Sequence, residues 1–266
     1  MIRVILFFLI PLFFSVPSYA QEAPVHGELL SSYKGVGTFA SHDMGLQLSM
    51  DDKWYTYWRT PGDAGLAPVM DWSKSENVKN VEVSWPAPKR FTAFDLYSFG
   101  YDGSVVLPLK VVPEETGEPV TVRLKLDVVA CHEICIPQTL FIEKSLPKAE
   151  AVKGEGRELI QAAVAALPVK ENNKELGIET AVLGKEAITV IAKAKDGWEG
   201  GADLFIETSD MVLTAVPEVV PDEEGNRAVI KVKGPEGIDL TSVLLGKNVV
   251  MVLTKGDQSI ERPFSF

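Results

Sequence analysis

The chain has 266 residues, of which 26 are basic and 37 acidic, and its formal net charge is −11. This acidic balance, with no lysine run or basic patch, argues against nucleic acid or an anionic membrane surface as a partner. The sequence also lacks a nucleophile elbow, a phosphate-binding loop and a dinucleotide-binding glycine pattern. It contains only two cysteines and three histidines, so chemistry is expected at the cysteines.

Residues 1–20 predict a secretory signal peptide. Arg3 is followed by an apolar run over 4–16 and then by Ser-Tyr-Ala at 18–20, a small-x-small cleavage pattern. The apolar run is shorter than the roughly 20 residues that a membrane-spanning helix needs, and no later run approaches that length. We therefore expect an exported protein that begins at Gln21 and has no membrane span after signal cleavage. Thiols tend to pair in such an oxidising compartment.

Residues 21–148 show the period-two alternation of strands that bury one face. The clearest run is VTVRLKLDV at 120–128, in which every second residue is apolar. Turn-forming residues separate the runs and no helical pattern intervenes, which favours an antiparallel β-sandwich. The strands predicted here are Leu46–Met50, Trp54–Trp58, Val81–Trp85, Val105–Val112, Val120–Val129 and Leu140–Lys144.

A polar, glycine-containing connector over 147–156 precedes a second predicted β-sandwich domain at 155–266. Its first element is a short helix over Arg157–Leu167, where apolar residues follow a helical stripe that Pro168 ends. This region contains no cysteine and no histidine, so we expect chemistry only in the first domain. The strands predicted here are Ile178–Leu183, Ala187–Ala192, Asp203–Thr208, Ala228–Lys233 and Val249–Leu253.

Both cysteines lie in the stretch VVACHEICIPQ, as Cys131 and Cys135. A fully extended chain would separate their Cα atoms by about 13 Å, whereas a disulfide needs less than about 7 Å. The segment must therefore bend for the pair to close, and Pro137 favours a bend. Because strands are predicted on both sides, we expect the cysteines in the loop of a hairpin, where a partner can reach them.

Three roles for this pair are compatible with the residues alone. A structural staple is the first, although closing so short a loop stabilises a fold by only roughly 2 kcal/mol. A Cu(I) site is the second, with Cys131, Cys135 and His132 as ligands, because thiolates suit that ion. An exchangeable disulfide that a partner thiolate attacks is the third.

Several motifs of the chain resemble the N-terminal periplasmic domain of DsbD-type thiol–disulfide interchange proteins. The resemblance covers roughly residues 30–148 and is closest to the ScsB-like branch. It implies an immunoglobulin-like fold, followed at 155–266 by a second immunoglobulin-like domain. The matching motifs, in chain order, are YWRTPGDAG at 57–65, VSWPAP at 83–88, YSFGYDGSVVLPL at 97–109 and CHEICIP at 131–137.

The resemblance implies electron transfer by Cys131 and Cys135 without a cofactor, as in a protein-disulfide reductase. It also implies a cap loop over the pair, which here would be 97–103 with Phe99 and Tyr101 as the lid. His132 would be a possible modulator, since a cation beside a thiol lowers its pKa.

The sequence departs from the family in two respects. Classical DsbD domains have a wider cysteine spacing, and neither the membrane domain nor the thioredoxin-like domain is present here. We therefore expect another chain to supply the partner, a thioredoxin-like or membrane-embedded thiol oxidoreductase, with exported proteins as substrates. The alternatives are a Cu(I)-binding copper-tolerance module that uses Cys131, Cys135 and His132, or a non-catalytic interaction domain with a structural disulfide.

Overall fold

The computed structural model describes residues 23–93, 95–208 and 211–266. Antiparallel strands dominate these residues and form four sheets, which confirms the expected mainly β, immunoglobulin-like class. The predicted signal peptide at 1–20 lies outside the described residues. Within them, neither of the two short helices has the length and apolar character needed to cross a bilayer.

Ten strands build the first sandwich. A four-stranded sheet has the order β1-β2-β8-β5, and the sheet opposite has the order β10-β9-β3-β7-β6, with β4 pairing beside β3 on β9. The strands are β1 (Val25–Ser31), β2 (His42–Met50), β3 (Tyr55–Gly62), β4 (Val69–Asp71), β5 (Asn80–Val83), β6 (Lys89–Ala93), β7 (Leu96–Asp102), β8 (Ser104–Val112), β9 (Val120–Cys131) and β10 (Cys135–Leu146).

Alternation along these strands creates the first core. On β9 the side chains of Val122, Leu124, Leu126 and Val128 are buried, whereas the residues between them are half-buried or exposed. The tryptophans that flank these strands also face the core: Trp58 is fully buried, and Trp54, Trp72 and Trp85 pack against the same cluster.

The second sandwich follows a short helix, α1 (Arg157–Ala165). Its sheets have the orders β11-β12-β16-β15 and β14-β13-β17-β18. The elements are β11 (Leu176–Leu183), β12 (Ala187–Ala194), β13 (Asp203–Glu207), β14 (Val212–Leu213), β15 (Glu218–Pro221), β16 (Arg227–Lys233), α2 (Leu240–Leu244), β17 (Asn248–Lys255) and β18 (Gln258–Ser265).

The two sandwiches share part of one core. Phe205 on β13 and Val252 on β17 belong to the hydrophobic cluster of the first sandwich, although both strands are in the second. Leu204 and Ile206, the neighbours of Phe205 on β13, are buried in the second cluster instead. The second sandwich therefore contributes side chains to the core of the first, so packing joins the two as well as the connecting chain.

Each strand predicted from the alternation overlaps a strand of the structure, and several are longer than predicted. Three predicted ends lie outside their strands, since β3 begins at Tyr55, β5 ends at Val83 and β13 ends at Glu207. Helix α1 ends before the predicted Leu167, and its apolar stripe is only partly used: Ile160 is buried, whereas Leu159 and Val164 are exposed. The helix lies on the outside of the first sandwich, against β1, β2 and β8. Helix α2 was not expected. The domain boundaries 21–148 and 155–266 remain predictions.

Candidate functional site

The two cysteines lie at the facing ends of a long hairpin. β9 and β10 pair without interruption from Cys131 opposite Cys135 to Val120 opposite Leu146. The turn between them is 132–134, closed by the N–H of His132, which donates to the carbonyl of Ile134 at 3.0 Å. Cys131 and Cys135 form a disulfide, with their Cα atoms 4.1 Å apart. The expected hairpin is confirmed, and it is tight enough to bring the two sulfurs together.

The two half-cystines have opposite environments. Cys131 is 1% exposed because it pairs with Tyr55 of β3 on the side away from β10, inside the sheet. Cys135 is exposed and begins β10, which pairs only with β9 among the described strands and so forms an edge. A molecule arriving from solvent therefore meets the sulfur of Cys135 first.

A cluster of aromatic residues covers Cys131, and we call it the aromatic cover: Tyr55, Tyr57 and Phe91. Tyr55 and Tyr57 are buried in one small cluster with Cys131, and Phe91 is half-buried against it. The rings of Tyr55 and Phe91 stack with centroids 4.3 Å apart, while Tyr55 and Tyr57 meet edge to face at 5.7 Å. The cover shields one sulfur from solvent and leaves the other open.

The hydroxyl of Tyr57 reaches the disulfide directly. It lies 2.8 Å from Sγ of Cys131, 3.3 Å from the carbonyl oxygen of Ala64 and 3.7 Å from Sγ of Cys135. None of these atoms carries a proton, so the phenol is the donor, and Cys131 is its nearest acceptor. Burial raises the pKa of Tyr57 to about 12, and the neighbouring Tyr55 adds to the rise. The phenol therefore keeps its proton at neutral pH and remains available as a hydrogen-bond donor to Cys131.

The lid predicted at Phe99 and Tyr101 does not lie over the cysteines. The segment is strand β7, not a loop, and both side chains point into the core of the first sandwich. The hydroxyl of Tyr101 donates to the carbonyl of Pro86 at 2.8 Å. Between the two, Gly100 passes so close to Thr56 that an added Cβ would collide with that residue's carbonyl oxygen. Strand alternation thus turns the expected lid inward, and the aromatic cover takes its place.

His132 is exposed in the turn, with its ring 6.0 Å from that of Trp54. In the part of the chain that the structure describes, no three or more His, Cys, Asp and Glu side chains group as a metal site would require. Copper binding by Cys131, Cys135 and His132 remains a prediction.

Tyr55, Tyr57 and Phe91 were not identified from the sequence. The signal that could have found the two tyrosines is the stretch WYTYW at 54–58. It was interpreted as a strand whose tryptophans face the core. The same alternation places the tyrosines on the opposite face, where Cys131 lies. Nothing in the sequence places Phe91 beside them, because the contact depends on how β6 folds back onto β7.

Near the start of β10 the outer face of the sheet carries exposed apolar side chains among polar ones. Leu66 and Val69 are 67% and 60% exposed, and they line a shallow cavity of about 290 Å³ together with Val129 and Pro137. Ile134 in the turn is also largely exposed. We call these five residues the apolar shelf.

Residues 36–146 match the family model described as "Thiol:disulfide interchange protein DsbD, N-terminal". The crystal structure of the N-terminal periplasmic domain of ScsB from Proteus mirabilis superposes with a TM-score of 0.73 at 18% identity, over 95% of this chain and 96% of that one. This likeness shows the fold of both sandwiches. Two marsupial T cell receptor chains reach TM-scores of 0.25 and 0.24 at 9% and 10% identity, over 93% and 92% of this chain and 99% and 63% of theirs, too low to carry an argument. No curated protein matches the chain.

Proposed function

From the match of residues 36–146 to the model of DsbD N-terminal domains, we propose that the protein is a periplasmic thiol–disulfide exchange protein. Cys131 and Cys135 are its reversible redox pair. The observation that carries the proposal is the asymmetry of the disulfide. One sulfur is open to a partner, and the other is buried against a phenol that keeps its proton. A staple that only stabilised the fold would not require this difference.

Reduction of the pair begins at the exposed sulfur. A partner thiolate attacks Sγ of Cys135, the bond between the two cysteines breaks, and a mixed disulfide forms between the partner and Cys135. The electron pair of the broken bond goes to Cys131, which leaves as a thiolate. Tyr57 donates its hydrogen bond to that thiolate, and hydrogen bonds to charged groups are stronger than those to neutral ones. Tyr57 thus favours Cys131 as the leaving group.

A second thiolate of the same partner completes the transfer. It attacks the partner's own sulfur in the mixed disulfide and releases Cys135 as a thiolate. The thiolates of Cys131 and Cys135 each take up a proton from water, which balances the two protons that the partner's thiols lost on ionising. The partner is then oxidised to a disulfide, and two electrons reside on Cys131 and Cys135 as a dithiol. The reverse sequence passes these electrons to a disulfide in another exported protein, with the thiolate of Cys135 as the attacking group.

The chemistry of the partner follows from this scheme. It needs two neighbouring thiols, as a thioredoxin-like or membrane-embedded thiol oxidoreductase has, and an apolar surface around the reacting one. The apolar shelf beside Cys135 would pack against that surface. In this role the shelf contributes affinity, while the exposed sulfur decides where the reaction starts.

Trapping with a thioredoxin tests the proposal. A thioredoxin whose resolving cysteine is replaced by serine is mixed with the oxidised protein, and the mixed disulfide is located by peptide mapping. We expect it on Cys135. With wild-type thioredoxin, which keeps its resolving cysteine, the disulfide between Cys131 and Cys135 should be fully reduced and no mixed disulfide should accumulate. If dithiothreitol reduces the pair but thioredoxin neither reduces nor traps it, the exchange function is wrong.

Two matched variants sharpen the test. Reduced Cys131→Ser retains the exposed thiol. It should form a stable mixed disulfide with the serine-substituted thioredoxin when the remaining thioredoxin cysteine has first been activated as a disulfide with a small aromatic thiol, which then leaves. Reduced Cys135→Ser retains only the buried thiol and should form little. The alternative copper function is checked on the same reduced protein by titration with Cu(I). Tight binding that needs both cysteines, without exchange activity, would favour copper handling.

A further inference from the structure

One face of strand β13 packs against the first sandwich and binds its arginines. Along Asp203–Glu207, Leu204 and Ile206 are buried in the core of the second sandwich. Phe205, between them, is buried in the core of the first, where its ring meets Phe99 at 4.9 Å and Trp58 at 6.1 Å. Asp203 and Glu207 share the face of Phe205, because side chains two apart on a strand point the same way. Both carboxylates bind arginines of the first sandwich.

Glu207 holds β3, the strand that carries the tyrosines of the aromatic cover. Nε of Arg59 donates to Glu207 at 3.0 and 3.2 Å, and its Nη2 donates at 2.5 Å. The same Nη2 donates to Glu261 of β18 at 2.9 Å. Thr60 adds a hydroxyl that donates to Glu207 at 2.5 Å. Arg59 follows Tyr57 by two residues, so this group fixes β3 just beyond the phenol that contacts Cys131.

Asp203 holds β6, the strand that carries the third residue of the cover. Nε and Nη2 of Arg90 donate to the carboxylate at 2.9 and 2.6 Å, and Nη1 donates to the carbonyl of Thr214. The side chain of Arg90 is only 9% exposed, and bidentate arginine–carboxylate pairs are among the stronger and more directional polar contacts. The next residue is Phe91, which stacks on Tyr55.

We infer that β13 of the second sandwich is the positioning element of the redox site. Glu207 and Asp203 fix the two strands that carry Tyr57, Tyr55 and Phe91, with Phe205 packed between them. This assigns the second sandwich a task that its own lack of cysteine and histidine does not suggest. Its carboxylates do not touch the disulfide; they act through Tyr57. The expected effect on thiol–disulfide exchange rests on the proposed function. The positioning of Tyr57 by β13 rests on the geometry alone.

The test is a double-mutant cycle between the carboxylates and Tyr57. Asp203→Asn and Glu207→Gln are made singly and together, each in the wild-type and the Tyr57→Phe background. The matched control is Glu179→Gln, which removes a carboxylate that pairs with Arg227 within the second sandwich. The readouts are the rate of reduction by thioredoxin and by dithiothreitol, the pH profile of each rate, and circular dichroism as a check on folding.

With Tyr57 present, we expect the double variant to be reduced about three- to tenfold more slowly, a typical coupling for residues in one network. Its pH profile should shift in the same direction as that of Tyr57→Phe. In the Tyr57→Phe background the carboxylate variants should have no further effect, and Glu179→Gln should have none in either. Equal effects in both backgrounds, or no effect in folded variants, would overturn the inference. If the double variant does not fold, each single variant is judged by the same criterion.

This outcome is separable from that of the proposed function. If thioredoxin does not react with the wild-type protein but dithiothreitol does, the exchange function fails. The cycle measured with dithiothreitol still decides whether β13 acts on the disulfide through Tyr57.

Discussion

The two sandwiches use the same rule to build their cores and differ in what they place on the opposite faces. On β16 of the second, Ala228, Ile230 and Val232 are buried. The residues that alternate with them are exposed: Arg227, Val229, Lys231 and Lys233. On β3 of the first, Trp58 faces the core while Tyr55 and Tyr57 on the other face enclose Cys131. The cores account for the fold, and one outward face of one sheet carries the proposed redox pair. Fold and function can thus be separated strand by strand.

The largest expected effect crosses the boundary between the sandwiches. Phe205→Ala removes a ring that is 1% exposed and packs in the core of the first sandwich. We expect it to lower the free energy of unfolding by about 3–5 kcal/mol, as is usual for a buried phenylalanine. Urea unfolding followed by tryptophan fluorescence measures this mainly in the first sandwich, because four of the five tryptophans, all except Trp198, lie there.

The control for this variant is Val220→Ala, on the exposed face of β15, which should change stability by less than about 0.5 kcal/mol. A tryptophan signal that is equally insensitive to Phe205→Ala would show that the first core does not depend on the second sandwich.

The second-largest effect is expected from the hydrogen bond that Tyr57 donates to Cys131, on the outer face of the first sandwich. Tyr57→Phe removes the donor to Cys131 and keeps the ring, so the cover remains but the departing thiolate is not stabilised. Hydrogen bonds to charged groups contribute about 1.5–3 kcal/mol, which corresponds to roughly 10- to 100-fold slower exchange with thioredoxin. Stopped-flow fluorescence measures the rate. Tyr101→Phe, which loses only the bond to Pro86, is the control, and equal slowing in both variants would contradict this role for Tyr57.

Removal of the disulfide should cost the first sandwich less than removal of Phe205. The bond between Cys131 and Cys135 closes a loop of few residues across a hairpin that the backbone already pairs. Closing so short a loop contributes about 2 kcal/mol. We expect reduction to lower the urea midpoint by the corresponding amount, and a cysteine-free variant to show no response to reductant. A loss as large as that of Phe205→Ala would mean that the pair is mainly a structural staple.

The smallest effect concerns His42, which is 2% exposed and whose ring nitrogens have no hydrogen-bond partner in the part of the chain that is described. Burial lowers its pKa below the ordinary 6.5, although Asp43 opposes the shift. As pH falls through 6.5, His42 binds a proton in the unfolded chain but not yet in the folded chain, where its pKa is lower. Stability is therefore fully present above that pH and declines toward the folded pKa. The slope cannot exceed about 1.4 kcal/mol per pH unit.

Urea unfolding between about pH 7.5 and 5.5 tests this, since most carboxylates stay ionised in that window. His42→Leu should remove the slope, and His132→Asn, in the exposed turn, should keep it. An unchanged slope in His42→Leu would assign the pH dependence to other groups.

The sequence was sufficient for much of the fold because alternation reports directly on burial. It identified β9 and β10 and hence the hairpin that joins Cys131 to Cys135. It was insufficient for β7, where the family resemblance implied a cap loop at 97–103. In the structure these residues form a strand, and its alternation decides that Phe99 and Tyr101 face the core.

The rest of the site depends on contacts between strands that are far apart in the chain. Alternation shows that Tyr55 and Tyr57 share a face, but not that Cys131 lies beside them. At 204–206 three apolar residues follow one another, and no local pattern reveals that Phe205 enters a different core from Leu204 and Ile206. Long-range pairing decides both, and a single sequence carries no record of it.

The exposed edge that β10 forms has a consequence for solubility. A long strand with free backbone groups is a template on which other chains can add strands and aggregate. Pro137, two residues beyond Cys135, has no N–H to offer, and prolines on edge strands place that nitrogen toward solvent. Next to it, the side-chain amide of Gln138 bonds both backbone groups of Val25. Pro137 thus removes one backbone donor at this edge and Gln138 ties the strand to β1, and both features disfavour extension of the sheet past the disulfide by another chain.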